Sequence, residues 1–354
     1  MSAYCETISF IIPAHNAERT LCRAVGSITE RCPGAEIIIV ENGSTDGTSA
    51  LARQLKMRYS GVVLLHSEPG VSAARNRGLD AAAREWIAFV DADDLWLAEE
   101  GEVDALLGPL QGVDFIACGY QKDSGFVIHD FAPLETPLSG AALTAANAWM
   151  LSRPTLRMTA WAKLFRREFL RENGLRFNES LRLSEDSAFL CRCLMQSASY
   201  AISATPVYRH CSDVPSVTRC ADSAKTRAYL DALRFLDDEL QKFATAPLTQ
   251  KAVRDYRIAQ LNLMAVHDIF NCAAPAPWRR RKERMRQVLG SALLSGAVQS
   301  VTMADAAVPM LLPAWLFKHD LLSAGGLLCY LRSVQNLRRY RAAAAQAGKE
   351  YKNR

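Results

Sequence analysis

The sequence predicts an α/β fold over residues 1–220, followed by a helical region over residues 221–354. Two patterns lead to this prediction. In the N-terminal part, short apolar runs such as "ISFIIPA" and "EIIIV" alternate with segments whose apolar residues recur at helical spacing. After about residue 220, long stretches such as "RAYLDALRFLDDEL" have helical spacing and few glycines. Because apolar strands that alternate with helices are typical of parallel sheets covered on both faces, we expect a mainly parallel central sheet.

The predicted elements follow one another as strand and helix along the N-terminal region. The first strand covers residues 8–12, and the helix after it places Leu21, Val25 and Ile28 on one face. We next expect a strand at residues 36–40 and a helix that carries Leu51 and Leu55. A strand at residues 62–65, a helix at residues 71–83 and a strand at residues 86–90 follow. Later elements are expected at residues 115–120 (strand), 185–196 (helix) and 207–211 (strand).

Composition excludes several classes of protein. Of 354 residues, 49% are hydrophobic and 22% are charged, which is ordinary for a globular protein in water. The net charge of +5 is too small to indicate a nucleic acid partner, and none is expected. No run approaches the roughly 20 apolar residues that cross a bilayer. The best candidate, "VPMLLPAWLF", is interrupted by Pro309 and Pro313, so we expect no transmembrane helix.

The ten cysteines show no CxxC pair and no spacing typical of a small disulfide-rich domain. We therefore expect the reduced, mostly buried thiols of a cytosolic protein. A zinc site is not expected on this spacing.

Polar residues and glycines follow each of the first four predicted strands. In a parallel sheet, ligands bind at the carboxyl ends of the strands, so these residues are expected to line one pocket. The set comprises Pro13, Ala14, His15 and Asn16 after the first strand, residues 41–47 after the second, Pro69, Gly70, Arg75 and Asn76 after the third, and Asp91, Ala92, Asp93 and Asp94 after the fourth.

Three carboxylates lie within four positions in "DADD", directly after the fourth strand. Like charges at this spacing repel one another, and a divalent cation, or a ligand that carries one, would relieve the repulsion. A cap or an exposed turn is the alternative explanation for an acidic strand end, and we expect Asp94 to cap the following turn.

The motifs occur in an order that resembles one enzyme family. "PAHN", "VENGSTDGT", "GVSAARNRGLDAA", "VDADD" and "SEDSAFLCRCL" follow one another, with "AWAKLFRREFLRENGLRF" before the last and "VYRHCSDVPSVT" after it. Together they resemble the inverting family-two glycosyltransferases, which have the GT-A fold, and in particular the bacterial enzymes of surface-polysaccharide synthesis. The resemblance covers roughly residues 6–220.

The resemblance implies a Rossmann-like GT-A domain that binds a nucleotide sugar, expected to be a UDP-sugar. The sugar would be transferred to a glycan or to a lipid-linked acceptor, in the synthesis of exopolysaccharide, capsule or lipopolysaccharide. A divalent cation, Mn²⁺ or Mg²⁺, is the implied cofactor, because it neutralises the charge that develops on the leaving diphosphate.

The resemblance also assigns roles to individual residues. Asp186 is the implied catalytic base, which removes the proton of the acceptor hydroxyl as that oxygen attacks the anomeric carbon. Asp93 and His210 are the implied metal ligands. The candidates for acceptor binding are Trp161, Lys163 and Glu185. The implied nucleotide-sugar site comprises Pro13, His15, Asn16, Glu41, Asn42, Asp46, Arg75, Asp91 and Ala92.

Two positions depart from the family pattern. The loop after the second strand usually opens with two aspartates, but here it opens with Glu41 and Asn42. An amide can still hydrogen-bond a base, although it adds no charge. His15 stands where the family often has a tyrosine, so its ring either stacks on the base or has a structural role.

Each assigned role has a structural alternative at this stage. Arg75 pairs with a phosphate, steadies Asp91, or is a solvated helix charge. Glu185 and Asp186 also suit the positive end of a helix dipole without any catalytic role. The residues that are equally consistent with packing or capping are His210, Trp161 and Asp46.

Basic clusters accompany apolar helices in the C-terminal region. Residues 279–286 and 338–341 hold most of these arginines, next to "QVLGSALLSG" and "LPAWLFKHDLLSAGGLLCYL". Such helices lie on an anionic membrane, or they pack on the N-terminal domain with their charges in water. We expect a cytoplasmic protein, and the first alternative implies peripheral contact with the inner face of the cytoplasmic membrane.

Two other functions stay open from the sequence. A sugar nucleotidyltransferase also needs a metal and an α/β nucleotide site, but "PAHNAERT" lacks the glycine-rich, basic phosphate loop expected there. A non-catalytic subunit of a polysaccharide-assembly complex would have a degraded donor site, which Glu41 and Asn42 allow. Intact Asp91, Asp93 and Asp186 count against that second alternative.

Overall fold

The computed structural model describes residues 4–110, 112–122, 125–127, 134–211, 224–242 and 248–352. The chain divides into two compact units. Unit 1 comprises Met1–Leu143, Thr159–Ser180 and Glu185–Cys211, and unit 2 comprises Thr144–Met158, Leu181–Ser184 and Ser212–Arg354. The predicted boundary near residue 220 lies outside the described residues.

Unit 1 is built on one sheet with ten described strands. They are β1 (Ile8–Ala14), β2 (Glu36–Glu41), β3 (Val62–His66), β4 (Trp86–Phe89), β5 (Leu95–Trp96), β6 (Phe115–Lys122), β7 (Gly125–Val127), β8 (Leu134–Leu138), β9 (Lys163–Arg166) and β10 (Tyr200–His210). Their order across the sheet is β3-β2-β1-β4-β9-β6-β10-β5, with β7 paired to β6 and β8 paired to β10.

The first four strands are parallel, as the sequence predicts. β1 lies between β2 and β4, and β3 extends the sheet beyond β2. β9 then enters antiparallel between β4 and β6. The described strand pairs beyond β4 are mostly antiparallel, with β6 and β10 parallel to each other. The strands β1 to β4, which carry the predicted pocket, are therefore parallel to one another, whereas the sheet as a whole contains both parallel and antiparallel pairs.

Helices connect the strands of unit 1 and make up most of unit 2. They are α1 (Leu21–Arg31), α2 (Thr48–Arg58), α3 (Val71–Ala81), α4 (Glu100–Leu107), α5 (Gly140–Ser152), α6 (Pro154–Arg157), α7 (Arg167–Glu172), α8 (Glu185–Gln196), α9 (Lys225–Lys242), α10 (Gln250–Met264), α11 (Trp278–Leu289), α12 (Ala292–Gln299), α13 (Leu312–Lys318) and α14 (Leu322–Lys352). A π-helical segment, Ala265–Ile269, continues α10.

α1 begins at Leu21, several residues after the start of the segment with helical spacing. Asn16 has a positive φ of 48°, and its Oδ1 accepts a hydrogen bond from the Thr45 N–H at 2.8 Å. This contact with the loop after β2 holds the chain in a turn, so the helix cannot start there. The difference is tertiary in origin, because Thr45 is distant in sequence.

β10 is much longer than the strand predicted at residues 207–211. It begins at Tyr200 and includes Pro206, where its pairing with β6 shifts register. Small residues and a proline hide the strand in the sequence, since proline is tolerated in strands mainly at edges and bulges.

The core of unit 1 surrounds the fully buried strand β1. Phe10 on β1 packs edge-to-face on Trp96, with ring centroids 4.8 Å apart. Complete burial of one such apolar side chain stabilises the fold by roughly 1.5–3 kcal/mol. The strand that leads to the predicted pocket is therefore buried along its whole length.

One pair of cysteines contradicts the prediction of reduced thiols. Cys5, before β1, and Cys32, directly after α1, form a disulfide with their Cα atoms 5.2 Å apart. The other cysteines within the described ranges form no disulfide with one another. Sequence spacing does not reveal this pair, because the end of α1 meets the start of β1 only after the strand and helix have packed together.

The predicted helical character of the C-terminal region is confirmed in unit 2. α14 packs closely on α13, because a Cβ atom added at Gly325 would lie 2.5 Å from the Phe317 ring. Among the described helices, none combines the length and the apolar character that a membrane crossing requires.

Candidate active site

The carboxyl end of β4 leads into Asp91, Asp93 and Asp94. The backbone N–H of Val90 donates to Ile11 O at 3.0 Å, which joins this end of β4 to β1. The Asp94 N–H donates to Asp91 O at 3.0 Å, so the three acids share one tight turn. Asp91 is 31% exposed, whereas Asp94 is buried.

The carboxylate of Asp94 joins the ends of β4 and β10, and the prediction that it caps the turn is wrong. Its Oδ2 accepts a hydrogen bond from Tyr208 OH at 2.5 Å and lies 3.2 Å from His210 Nδ1. Its Oδ1 accepts the Cys211 N–H at 2.7 Å. A buried carboxylate needs such donors, because an unpaired buried charge is costly.

Asp93 lies in an environment that disfavours its ionised form. Burial raises its pKa to about 7, and the charges of Asp94 and Asp91 add to the rise. Arg23 Nη2 donates to the backbone oxygen of Asp93 at 2.6 Å, which fixes the loop. The position of the Asp93 carboxylate is therefore fixed by the backbone of the loop, and the negative charges of Asp91 and Asp94 lie close to it.

The donor atoms around this loop suit a divalent cation. Asp91 and Asp93 offer carboxylate oxygens, and His210 uses Nδ1 toward Asp94, which leaves Nε2 as the other ring nitrogen. Within the described ranges, no three His, Cys, Asp or Glu side chains form a cluster that could hold a metal by themselves. Burial is the main cause of the raised pKa of Asp93, and the like-charge repulsion from Asp94 and Asp91 that adds to it is the part that a cation would relieve.

Arg75, on α3, links this turn to the start of α8. It is 3% exposed, and its Nη2 donates to Asp91 Oδ1 at 3.0 Å. Its Nη1 donates to Asp186 Oδ1 at 2.5 Å and lies 3.5 Å from Glu185 Oε1. Burial opposes the charge, but the three carboxylates outweigh it and raise the pKa of Arg75. Arg75 is thus a shared, buried counter-ion and not a solvated helix charge.

Glu185 and Asp186 are the first two residues of α8. Asp186 Oδ2 accepts the Ala160 N–H at 3.2 Å, so each of its oxygens has a donor. Burial raises the pKa of Asp186, and the charge of Arg75 opposes that rise. Burial also raises the pKa of Glu185 to about 7, and the neighbouring Asp186 adds to the rise.

The loops after β1 and β2 hold each other through side-chain contacts. His15 is exposed, and its Nδ1 lies 3.1 Å from Asn42 O. Asn16 Oδ1 binds the backbone of Thr45. Asn42 is 4% exposed, and its Oδ1 has no hydrogen-bond partner among the described residues. A buried amide oxygen without a donor is unfavourable, so it is an acceptor available to a ligand N–H.

Glu41 and Asp46 have structural partners within the same loops. Glu41 Oε1 accepts the Ser44 N–H at 2.6 Å, and its Oε2 lies 3.2 Å from His66 Nδ1. Asp46 Oδ1 accepts the Thr48 N–H at 3.0 Å at the start of α2, which is the cap predicted as its alternative role. Burial opposes ionisation of both acids, but the hydrogen bonds outweigh it and lower both pKa values.

Trp161 is buried beside the metal-site candidate His210. Its ring is nearly parallel to that of Tyr208, with centroids 4.8 Å apart, and lies 5.6 Å from the His210 ring. The packing alternative for Trp161 therefore holds in the structure. A contact between Trp161 and an acceptor stays a prediction.

Lys163, Pro13 and Ala92 are also buried. Lys163 Nζ lies 3.3 Å from Thr159 Oγ1, and burial lowers its pKa to about 8, against the opposing effect of Asp186. A buried lysine beside Asp186 supports the charge balance of the cluster. Its predicted role in acceptor binding stays untested.

Tyr208 is the residue of this site that the sequence reasoning missed. Its OH donates to Asp94 Oδ2 and also accepts the Asp91 N–H at 3.2 Å. The available signal is its position in "VYRHC": Tyr208 and His210 are two residues apart on a strand and so share one face.

The sequence matches a known enzyme family over part of its length. Residues 9–172 match the model of Glycosyl transferase family 2. The likeness to family 2 therefore covers a little under half of this chain. The succinoglycan biosynthesis protein ExoU of Rhizobium meliloti (strain 1021) is 32% identical to it over 207 residues, which are 55% of this chain and 59% of ExoU. ExoO of the same organism is 25% identical over 275 residues, 74% of this chain and 77% of ExoO. The chain thus spans little more than half of the length of ExoU.

Two solved structures resemble this chain over most of its length. S. aureus TarS 1–349 in complex with UDP-GlcNAc has a TM-score of 0.63 at 16% identity, and the match covers 94% of this chain and 92% of that one. The mannosyltransferase PcManGT from Pyrobaculum calidifontis, in complex with GDP-Man and Mn²⁺, has a TM-score of 0.50 at 16% identity, with 93% and 87% covered. The predicted GT-A fold is confirmed, and at this identity the likeness concerns the fold alone.

Proposed function

We propose that this protein is an inverting, metal-dependent glycosyltransferase that moves a sugar from a nucleotide-sugar donor to an acceptor hydroxyl. The observation that carries the proposal is the bridge made by Arg75. One buried guanidinium contacts Asp91 at the end of β4 and Asp186 at the start of α8. A carboxylate on the donor side and a candidate base are thereby held within one cluster.

The loops after β1 and β2 are the proposed nucleotide site. The exposed ring of His15 offers a face for stacking, and the unpartnered Oδ1 of Asn42 accepts a base N–H. TarS and PcManGT were crystallised with UDP-GlcNAc and GDP-Man, which supports a nucleotide sugar as donor. We propose a UDP-sugar, in keeping with the resemblance in the sequence.

Asp93 and His210 would hold the divalent cation, Mn²⁺ or Mg²⁺, next to Asp91 of the nucleotide-sugar site. When bound, the ion supplies positive charge that neutralises the leaving diphosphate. Burial is the main cause of the raised pKa of Asp93, but the charges of Asp94 and Asp91 add to it, and this acidic surrounding supports the role. The Mn²⁺ in the PcManGT complex also supports it.

Asp186 is the proposed base for a single displacement. The acceptor oxygen attacks the anomeric carbon, its proton passes to an Asp186 carboxylate oxygen, and the sugar–phosphate bond breaks with its electron pair on the nucleoside diphosphate. Arg75 and the Ala160 N–H orient the carboxylate and favour its ionised form. A base on the face opposite the leaving group gives inversion.

The acceptor is proposed to be a glycan or a lipid-linked sugar of bacterial exopolysaccharide, capsule or lipopolysaccharide synthesis. ExoU and ExoO are named as succinoglycan biosynthesis proteins, which supports this class. We infer that the transfer takes place in the cytoplasm.

A thermal-shift panel of sugar nucleotides tests the proposal directly. A UDP-sugar is expected to raise the melting temperature with Mn²⁺ or Mg²⁺, and to lose that effect when a chelator is added. Turnover should release a nucleoside diphosphate. Equal stabilisation with and without chelator would remove the metal from the proposal. Release of pyrophosphate would make the protein a nucleotidyltransferase instead.

A further inference from the structure

Exposed leucines cluster around the start of α14, in unit 2. Leu321, Leu327, Leu328 and Leu331 are 48%, 50%, 37% and 48% exposed. On a helix with 3.6 residues per turn, positions 324, 327, 328, 331, 335 and 338 lie on one face. Leu327, Leu328 and Leu331 therefore form one apolar face toward solvent, and Leu321 is exposed just before the helix begins. A surface of this kind marks an interaction site.

The solvent-exposed side of α14 becomes basic farther along the helix. Arg332, Arg338 and Arg339 are exposed, and the sequence contains no acidic residue between Leu321 and Arg341. We call the leucine cluster together with these three arginines the α14 stripe. The stripe combines apolar and positive surface without any negative charge on the same segment.

A cavity of about 570 Å³ opens beside the stripe, between α11 and α14. Leu327, Tyr330 and Trp278 are among its lining residues, and the Trp278 and Tyr330 rings lie 6.2 Å apart. Exposed Arg279 and Arg280 follow Trp278 directly. The neighbouring helix thus adds an aromatic ring, which suits a boundary between apolar and polar layers, and two more arginines, of which Arg279 pairs with Glu283 at 3.1 Å.

The inner face of α14 holds the helix in unit 2 without help from the stripe. A Cβ atom at Gly326 would lie 2.4 Å from the Phe270 ring, so helix and ring are in close contact. Ser333 Oγ accepts the Cys272 N–H at 3.0 Å. Substitutions on the stripe are therefore expected to leave the fold intact.

We propose that the α14 stripe docks on an anionic phospholipid surface, independently of the proposed sugar transfer. The leucines and Trp278 would lie at the boundary between headgroups and acyl chains, and the arginines would pair with lipid phosphates. Charge favours lipid over a second copy of this chain. Two stripes placed against each other would leave their arginines without carboxylate partners from either segment.

Co-sedimentation of the full chain with vesicles tests the proposal. Binding is expected to phosphatidylcholine vesicles that contain phosphatidylglycerol, much less to phosphatidylcholine alone, and less again at high salt. Leu327→Gln/Leu331→Gln should weaken binding by at least about 10-fold, because apolar burial is lost. Arg332→Gln/Arg338→Gln/Arg339→Gln should weaken it by about 100-fold and abolish the preference for anionic lipid.

α2 offers a matched control for both variants. It exposes Met57 together with Arg53 and Lys56, so it also combines apolar and basic side chains. Met57→Gln and Arg53→Gln/Lys56→Gln should leave vesicle binding unchanged. Circular dichroism and sugar-nucleotide binding verify that each variant is folded.

Two results would overturn the proposal. One is a parent protein that does not bind anionic vesicles, or a leucine variant that binds them as the parent does. The other is a dimer in analytical ultracentrifugation that the leucine variant abolishes, without vesicle binding by the parent. That result would assign the stripe to a second copy of the chain.

Discussion

Two aspartates, one in each unit, lie in opposite electrostatic environments. In unit 2, Asp305 accepts the Thr302 N–H at 2.9 Å and pairs with Arg254 at 3.1 Å, and these contacts lower its pKa to about 2. In unit 1, burial and neighbouring acids raise the pKa of Asp93 to about 7. An acid with its own donors stabilises the fold, whereas a crowded acid is poised for a ligand that brings positive charge.

The arginines of the two units differ in the same way. Arg254 is 14% exposed and serves two carboxylates, Asp255 at 2.7 Å and Asp305. Arg75 is 3% exposed and serves three, because Asp91 and the two acids of α8 all face it. In the unit 2 network one arginine is paired with two carboxylates, whereas in the unit 1 cluster one arginine is paired with three.

The largest expected effect concerns Asp186, in the cluster where Arg75 is paired with three acids. Asp186→Asn keeps the size of the side chain but cannot take the acceptor's proton, so turnover should fall by roughly 10²–10⁴-fold. Binding of donor and metal should stay near the parental level. Turnover is measured as nucleoside diphosphate release, and binding by calorimetry.

Asp93→Asn is the matched control for that experiment, and it should lose donor binding together with turnover. The contrast separates a base from a metal ligand, which an activity assay alone does not achieve. Near-parental turnover in Asp186→Asn would mean that Asp186 is not the base and only interacts with the start of α8. Glu185 would then be the next candidate for the base.

A smaller effect is expected when the shared cation is removed. Arg75→Met leaves Asp91, Glu185 and Asp186 without their counter-ion, which should lower the free energy of unfolding by roughly 3–5 kcal/mol. Arg254→Met acts on a more exposed pair and should cost about 1 kcal/mol. Urea unfolding measures the loss of stability in both variants. Arg75→Lys keeps the positive charge but cannot contact Asp91 and Asp186 through two separate nitrogen atoms. Equal losses in the two methionine variants would contradict the comparison.

The smallest effect is expected at Asp305, and it depends on pH. The pKa of Asp305 in the folded state lies below the unfolded value of about 3.9. Its ionised form therefore stabilises the folded state above about pH 4, and this contribution is lost as the pH falls toward 2. Asp305→Asn should be less stable than the parent by about 1 kcal/mol or less at neutral pH. Thermal unfolding should show that difference narrowing below pH 4. A difference that stays constant with pH would mean that the charge of Asp305 does not stabilise the fold.

Local patterns predicted the elements whose signal lies within a few residues. The apolar runs of β1 and β2, and the helical spacing of α8, predicted those elements closely. β10 was underestimated, because Pro206 interrupts its pattern and only pairing with β6 reveals the strand. The predicted roles of the site residues stay predictions, although the structure brings several of them into contact.

The sequence by itself predicted that the first four strands are parallel and which polar residues follow them, because the alternation of strands and helices and the residues at strand ends are local properties. Only the tertiary structure decided which charges meet. Arg75 reaches Asp186 across more than a hundred residues, and Asp94 finds its donors on β10. Periodicity indicates which face a side chain occupies and not which partner it meets, since the partner depends on how distant elements pack.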